Sequence, residues 1–153
     1  AGLMIKPDGS LRVLEFNCRM GDPETQPIMM RLKSDFVEIV DAAIDGRLNE
    51  VEVDWDRRVA LGVVMAAANY PDTPRKGDVI HGLPARTEDS HVFHAGTATG
   101  KGEVVTAGGR VLCVTALGDN VKAAQKRAYE VLDQISFDGM QCRRDIGFRA
   151  IKR

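Results

Sequence analysis

Leu11-Arg12-Val13-Leu14-Glu15-Phe16-Asn17-Cys18-Arg19-Met20-Gly21-Asp22-Pro23-Glu24-Thr25-Gln26-Pro27 decides how the first third of this sequence folds. Alternate residues of a strand share a face. Leu14, Phe16, Cys18 and Met20 therefore read as an apolar face, with Val13, Glu15, Asn17 and Arg19 on the other. The alternation predicts a strand over residues 11–20. It sets a carboxylate, an amide and a guanidinium in line, about 7 Å apart. Gly21-Asp22-Pro23-Glu24 then turns the chain into a helix, with Pro27 suited to the first helical position and Thr25 or Gln26 to the cap.

Upstream, residues 3–6 form a second strand-like run. Pro7-Asp8-Gly9-Ser10 between the two runs favours a tight turn, so an antiparallel hairpin is predicted. Downstream, Ile28, Met29, Leu32, Phe36, Ile39, Val40 and Ala43 recur at helical spacing, and Gly46 is placed to end the helix. Arg31, Lys33, Asp35, Glu38 and Asp41 lie off that stripe, which predicts one helix lying on a sheet.

After a compositional hinge over residues 51–58 the pattern turns to strand. Residues 59–68 are almost all apolar or small, as in a buried central strand. Residues 70–74 read as a loop, and 78–81 and 91–95 as short strands. Residues 103–106 and 110–115 flank Ala107-Gly108-Gly109, a hairpin connection in which the glycines supply positive φ. Asn120 caps a helix whose apolar face is Val121, Ala124, Ala128, Val131, Leu132 and Ile135.

The totals narrow the function classes. At 153 residues the chain suffices for a real core, and 44% apolar types exclude a disordered segment. No stretch is long enough to span a bilayer. Basic and acidic residues number 21 and 22, so no bulk field holds nucleic acid or an anionic membrane. Cys18, Cys113 and Cys142 make neither an even disulfide set nor a metal knuckle, which points to a reducing compartment, the cytoplasm. Ala1-Gly2-Leu3-Met4-Ile5 lacks an initiator Met and a basic leader and reads as mid-strand, predicting a piece of a longer chain.

In the tail, Arg143, Arg144, Arg149, Lys152 and Arg153 are interleaved with Ile146, Phe148 and Ile151. A nucleic-acid arm is one reading. A docked terminal segment with solvated edges is preferred, given the near-zero net charge.

The chemistry concentrates at Glu15, Asn17 and Arg19. A carboxylate and an amide carbonyl are hard oxygen donors suited to Mg²⁺, which takes one or two protein oxygens plus phosphates and water. A guanidinium forks onto phosphate or carboxylate oxygens. The turn that follows brings a helix N-terminus near, a favourable place for an anion. Asp22 and Glu24 could orient an amine, support Arg19, or favour the helix end. From spacing alone the segment is either a site for metal-bound polyphosphate or a decorated edge strand.

Glu15-Phe16-Asn17-Cys18-Arg19-Met20-Gly21-Asp22-Pro23-Glu24-Thr25-Gln26 resembles the signature of the glycinamide ribonucleotide synthetase family, part of the ATP-grasp superfamily. The resemblance continues through Leu61-Gly62-Val63-Val64-Met65-Ala66, Gly77-Asp78-Val79-Ile80-His81-Gly82-Leu83-Pro84, Val92-Phe93-His94-Ala95-Gly96-Thr97 and Gly108-Gly109-Arg110-Val111-Leu112. It ends at Cys142-Arg143-Arg144-Asp145-Ile146-Gly147-Phe148-Arg149-Ala150. It covers the whole chain but only the family's C-terminal portion.

The resemblance implies a ligase that joins glycine to 5-phosphoribosylamine at the expense of ATP, through a glycyl phosphate, in purine biosynthesis. It implies Mg²⁺ (or Mn²⁺) on Glu15 and Asn17, and Arg19 as the catalytic, nucleotide-binding cation at the phosphate or acyl phosphate. Gly21 and Asp22 would form the substrate-facing turn. The implied partners are the three small substrates and the remainder of a longer chain, with no nucleic acid and no membrane; this piece alone would be inactive.

The implied fold is α+β. Residues 1–50 would be a remnant of an ATP-grasp sheet with its helix, and 51–153 a small, mainly antiparallel sheet or barrel with one packed helix. Two other readings stand beside it: another ATP-grasp ligase of purine synthesis, which the 21–24 turn argues against, and a non-enzymatic binding module that keeps the fold.

Other signals are weaker. His91 and His94 face opposite ways on a strand and lack a third ligand. Gly96-Thr97-Ala98-Thr99-Gly100-Lys101-Gly102 has the wrong spacing for a Walker loop and reads as a flexible loop. Met29, Met30 and Met65 read as core filler, Trp55 as packing between the two regions, and Cys18, on the apolar face, as no catalytic thiol.

Overall fold

Strand β1 (Gly2–Ile5) pairs antiparallel with β2 (Leu11–Glu15) in a computed structural model that describes residues 1–85 and 87–151. The hairpin turn is the predicted one. Gly9 donates to the Lys6 carbonyl at 2.9 Å, and Asp8 Oδ1 accepts from the Ser10 N–H at 2.9 Å. β2 stops at Glu15, five residues before the expected end, so strict alternation does not extend to Asn17 and Arg19. Both faces of this two-stranded sheet are open, and Leu3, Ile5, Leu11, Val13 and Leu14 are all exposed.

The single helix expected after the turn is two. α1 (Thr25–Arg31) starts earlier than Pro27, with Glu24 at its N-cap position. Leu32 then becomes extended and bridges Trp55, while Lys33 donates to the Asp54 carbonyl at 3.0 Å and Ser34 Oγ accepts from Asp54 N–H at 2.7 Å. Asp35 restarts the chain as α2 (Phe36–Ile44) by accepting from the Val37 N–H at 2.8 Å. Gly46, at φ +69°, lies just past its end, as expected. α2 does not lie on a sheet: Ala42 is its one buried residue, and it packs on a short 3₁₀ turn, Leu48–Glu50.

The core belongs to a four-stranded antiparallel sheet in the order β4-β7-β3-β8. Its strands are β3 (Val59–Ala66), β4 (Ser90–His94), β7 (Arg110–Gly118) and β8 (Gln141–Cys142). β3 is central, as its apolar run predicts. Leu61, Val63 and Met65 on β3 meet Val92, Leu112, Val114 and Ala116 on the neighbouring strands. Helix α3 (Val121–Leu132) closes that face through Ala124, Ala128, Val131 and Leu132, with the Asn120 side chain accepting from the Ala123 N–H at 2.9 Å. Fully burying each such valine or leucine contributes roughly 1.5–3 kcal/mol.

α1 covers the opposite face. Pro27 sits over Gly62, where an added β-carbon would be 3.2 Å from Pro27 Cγ, beside the buried Cys113 and Thr115. The architecture is thus α+β, a small antiparallel sheet between helices, with the N-terminal hairpin standing off it.

Residues 96–102 are not a loop. β5 (Thr97–Gly100) and β6 (Glu103–Thr106) form a hairpin around Lys101 and Gly102, both at positive φ. β6 therefore pairs with β5 and not with β7, and Gly108 and Gly109 do not adopt positive φ. They allow close approach instead: a β-carbon on Gly96 would lie 2.7 Å from Gly108 Cα. Residues 78–81 contribute only isolated bridges, Val79 with Val105 and His81 with Ser136.

The tail docks on α3. Tyr129 Oη donates to the Arg143 carbonyl at 2.8 Å and accepts from the Ile146 N–H at 3.2 Å, while Gln125 Nε2 donates to the Ile146 carbonyl at 2.7 Å. A last short helix, α4 (Phe148–Ile151), follows. Arg143 pairs with Asp145 and Arg144 with Asp133, so two of the basic residues are already matched by acids. Lys152 and Arg153 lie outside the described residues.

Candidate functional site

Glu15, Asn17, Arg19, Met20, Gly21, Asp22, Glu24 and Arg110 line one open cleft of about 410 Å³. The end of β2 delivers Glu15, the irregular segment after it delivers Asn17 and Arg19, and the turn into α1 delivers Gly21, Asp22 and Glu24. All five residues singled out in the sequence, Glu15, Asn17, Arg19, Gly21 and Asp22, therefore share one site, although a regular strand is not what aligns them.

Asn17 Nδ2 donates to Glu15 Oε1 at 3.0 Å. The two hard-oxygen side chains meet directly, and turning the Asn17 amide would set its carbonyl oxygen beside the carboxylate. This pair fits a hard cation that takes its remaining ligands from phosphate and water. Among the described residues no group of three or more His, Cys, Asp or Glu side chains could enclose an ion unaided. Arg19 Nη1 donates to the Met20 carbonyl at 3.2 Å, which leaves guanidinium donors for an anion. Three carboxylates, Glu15, Asp22 and Glu24, thus share the cleft with two guanidiniums.

At the start of α1 one backbone donor is already taken. The Thr25 N–H and hydroxyl both go to the Gly21 carbonyl, at 3.0 and 2.6 Å. The Glu24 carboxylate folds back over Gly21, where a β-carbon would meet it. A β-carbon at Gly21 would displace that exposed carboxylate and meets no backbone, and Gly21 does not adopt positive φ.

Arg110 is the site residue that sequence reasoning missed. It opens β7, 88 positions beyond its contact, and its Nη1 donates to the Asp22 carbonyl at 3.0 Å. Its Nε also lies 3.3 Å from Asp22 Oδ2. Its place in Gly108-Gly109-Arg110-Val111-Leu112, one of the blocks that resembles the family, was the available signal.

The remaining candidates have structural surroundings. His91 packs edge-on against Phe93, with ring centroids 4.5 Å apart, and His94 Nδ1 lies 3.1 Å from Thr97 Oγ1. Met65 is fully buried, but Met29 and Met30 are only half-buried. Cys18 is exposed, contrary to the apolar-face expectation, because the face it was to share, with Leu14 and Phe16, is itself uncovered. Cys113 is buried, and desolvation pushes its thiol above the usual range.

A larger cleft of about 560 Å³ lies between α1 and β3, beside Trp55, and no carboxylate lines it. Its Arg58 is already held by Asp56 at 2.7 Å and Asp89 at 2.6 Å. The Arg58 guanidinium in turn holds the Asp56 carboxyl far below the usual carboxylate range.

Several known proteins are similar to this chain. The family described as "Phosphoribosylglycinamide synthetase, C domain" matches residues 60–149. A phosphoribosylamine–glycine ligase of Ralstonia nicotianae is 66% identical over 153 residues, covering 100% of this chain and 36% of its own length. Its counterpart in Escherichia coli O157:H7 is 61% identical over 155 residues, with the same coverage. The crystal structure of phosphoribosylamine–glycine ligase from Thermotoga maritima matches with a TM-score of 0.80 at 41% identity, covering 95% of this chain and 35% of that one. The chain thus spans about a third of the length of the curated relatives it matches. Among the described residues no helix is long and apolar enough to cross a membrane.

Proposed function

We propose that this chain, which belongs to the phosphoribosylglycinamide synthetase C-domain family, serves as the C-terminal part of an ATP-dependent ligase. That ligase joins glycine to 5-phosphoribosylamine, giving glycinamide ribonucleotide, ADP and phosphate. The observation that carries the reading is the meeting of the Glu15–Asn17 oxygen pair with Arg19 and Arg110 in one cleft.

The chemistry needs such a cleft. A carboxylate is a poor acyl donor because its leaving group would be oxide, whereas glycyl phosphate expels phosphate when the amine attacks its carbonyl. Making it requires an anionic carboxylate to approach an anionic triphosphate, so cationic groups must offset the repulsion. Glu15 and Asn17 would hold Mg²⁺ or Mn²⁺. The bound ion would neutralise and orient the phosphate oxygens. Arg19 would offer its free donors to the transferring phosphoryl group, and Gly21 and Asp22 would face the substrate amine.

On this reading residues 1–50 belong to an ATP-grasp domain and residues 51–153 to a C-terminal domain on which α1 packs, and the enzyme works in the cytoplasm in purine biosynthesis. The rest of the ligase chain would cover the open faces of the β1–β2 hairpin, whose exposed leucines, valine and isoleucine a finished sheet would bury.

The test is a hybrid in which this chain replaces the matching third of the Ralstonia nicotianae ligase. The expected result is glycinamide ribonucleotide and ADP formed only when ATP, glycine and phosphoribosylamine are all present. A folded hybrid that forms neither, beside an active parent, contradicts the proposal.

A further inference from the structure

The turn at residues 21–24 is irregular chain between a strand end and a seven-residue helix, and Asp22 in it is 47% exposed. Among the described residues, Arg110 is the side chain from beyond α1 that hydrogen-bonds to this turn. It grips both the carbonyl and the carboxylate of Asp22 with one guanidinium. Its own root is fixed: the backbone of Arg110 pairs with Ala66 on β3, and Val111 and Leu112 after it are fully buried.

An ion pair this exposed, with Arg110 at 42%, adds little to stability. Its worth is geometric. Two contacts from a rigid strand hold a turn that has no regular structure of its own, and Arg19 and Asn17 stand two and four residues before it.

We propose that Arg110 is a positioning residue of the ligation reaction: from the C-terminal sheet it clamps Asp22 and so fixes the turn that aligns the oxygen pair and Arg19 with the substrates. This inference rests on the ligase reading above. It makes the C-terminal sheet part of the reaction geometry and not only a scaffold. A reacting group displaced by about 1 Å can cost roughly 10²-fold in rate.

The test uses the full-length hybrid with Arg110→Gln, Arg110→Lys and, as a control for losing an exposed ion pair that does not line the cleft, Arg144→Gln. Arg110→Gln should lower kcat by about 10- to 100-fold while KM for ATP and for glycine stays within about threefold. Arg110→Lys keeps the charge and one contact and should recover part of the loss, and Arg144→Gln should leave kcat unchanged. In parallel, Arg110→Gln should speed amide hydrogen exchange at residues 21–24 without changing it in β3.

The inference is overturned by kcat within about twofold of the unsubstituted hybrid, by a loss that Arg144→Gln reproduces, or by unchanged exchange in the turn. A rise in KM for one substrate with kcat intact would also overturn it, since Arg110 would then bind that substrate. An unsubstituted hybrid without ligase activity would defeat the ligase reading and this inference together, whereas an active hybrid indifferent to Arg110→Gln defeats the inference alone.

Discussion

Replacing Gly62 with alanine tests whether α1, and with it the turn of the candidate site, is seated on the sheet. A β-carbon at Gly62 would lie 3.1 Å from Cys113 Sγ, 3.2 Å from Pro27 Cγ and 3.4 Å from Thr115 Oγ1. Carbon atoms pack best at about 3.5–4.0 Å, so the helix must retreat by a few tenths of an ångström. Two effects oppose one another. Alanine restricts the unfolded chain, which stabilises by roughly 0.4–1 kcal/mol. Overpacking a filled site costs about 1–3 kcal/mol. The difference is a net loss of about 1 kcal/mol, or roughly 2–4 °C in Tm for a chain of this length. Thermal and urea unfolding followed by circular dichroism would measure it. Adding Cys113→Ala makes room beneath the new methyl group, so the double variant should lose less than the two single losses combined. If α1 did not rest on β3, the contacts with Cys113 and Thr115 on β7 would be the whole cost, and Cys113→Ala would relieve most of it. A Gly62→Ala chain more stable than the parent would refute the packing.

Asn120→Ala removes the side chain that accepts from the Ala123 N–H and should cost about 1 kcal/mol by urea unfolding, with no change in the m-value. With a thiol reagent under native conditions, exposed Cys18 should react first and Cys113 last, because burial both shields the Cys113 thiol and disfavours its thiolate. Mass spectrometry of the labelled peptides reads the order directly.

What the sequence made legible was local. Pro7-Asp8-Gly9-Ser10 specified its turn through Asp8, Asn120 announced α3, and the apolar run after Val59 marked the central strand. The helix break was legible too, but overlooked: Ser34 and Asp35 before Phe36 are capping residues, and the continuing apolar stripe outweighed them. Strand pairing departed from the reading even where it is local. Residues 103–106 sit next in sequence to β7, yet Lys101 and Gly102 turn them back onto β5. The residue types of the candidate site were legible, but their convergence was argued from an alternation that ends at Glu15. The block around Arg110 marked it as part of the resemblance, but no local pattern ties it to Asp22, 88 positions away, which only the fold brings to it.

The central claim is that Glu15 and Asn17 hold the metal that serves the ATP phosphates. Its most direct test is the Mg²⁺ dependence of ADP release by the full-length hybrid carrying Glu15→Ala or Asn17→Ala, with glycine and phosphoribosylamine saturating. The account predicts turnover lowered by about 10²-fold or more and a half-saturating Mg²⁺ concentration displaced upward. Titration curves that superimpose on those of the unsubstituted hybrid, in both height and midpoint, would contradict it.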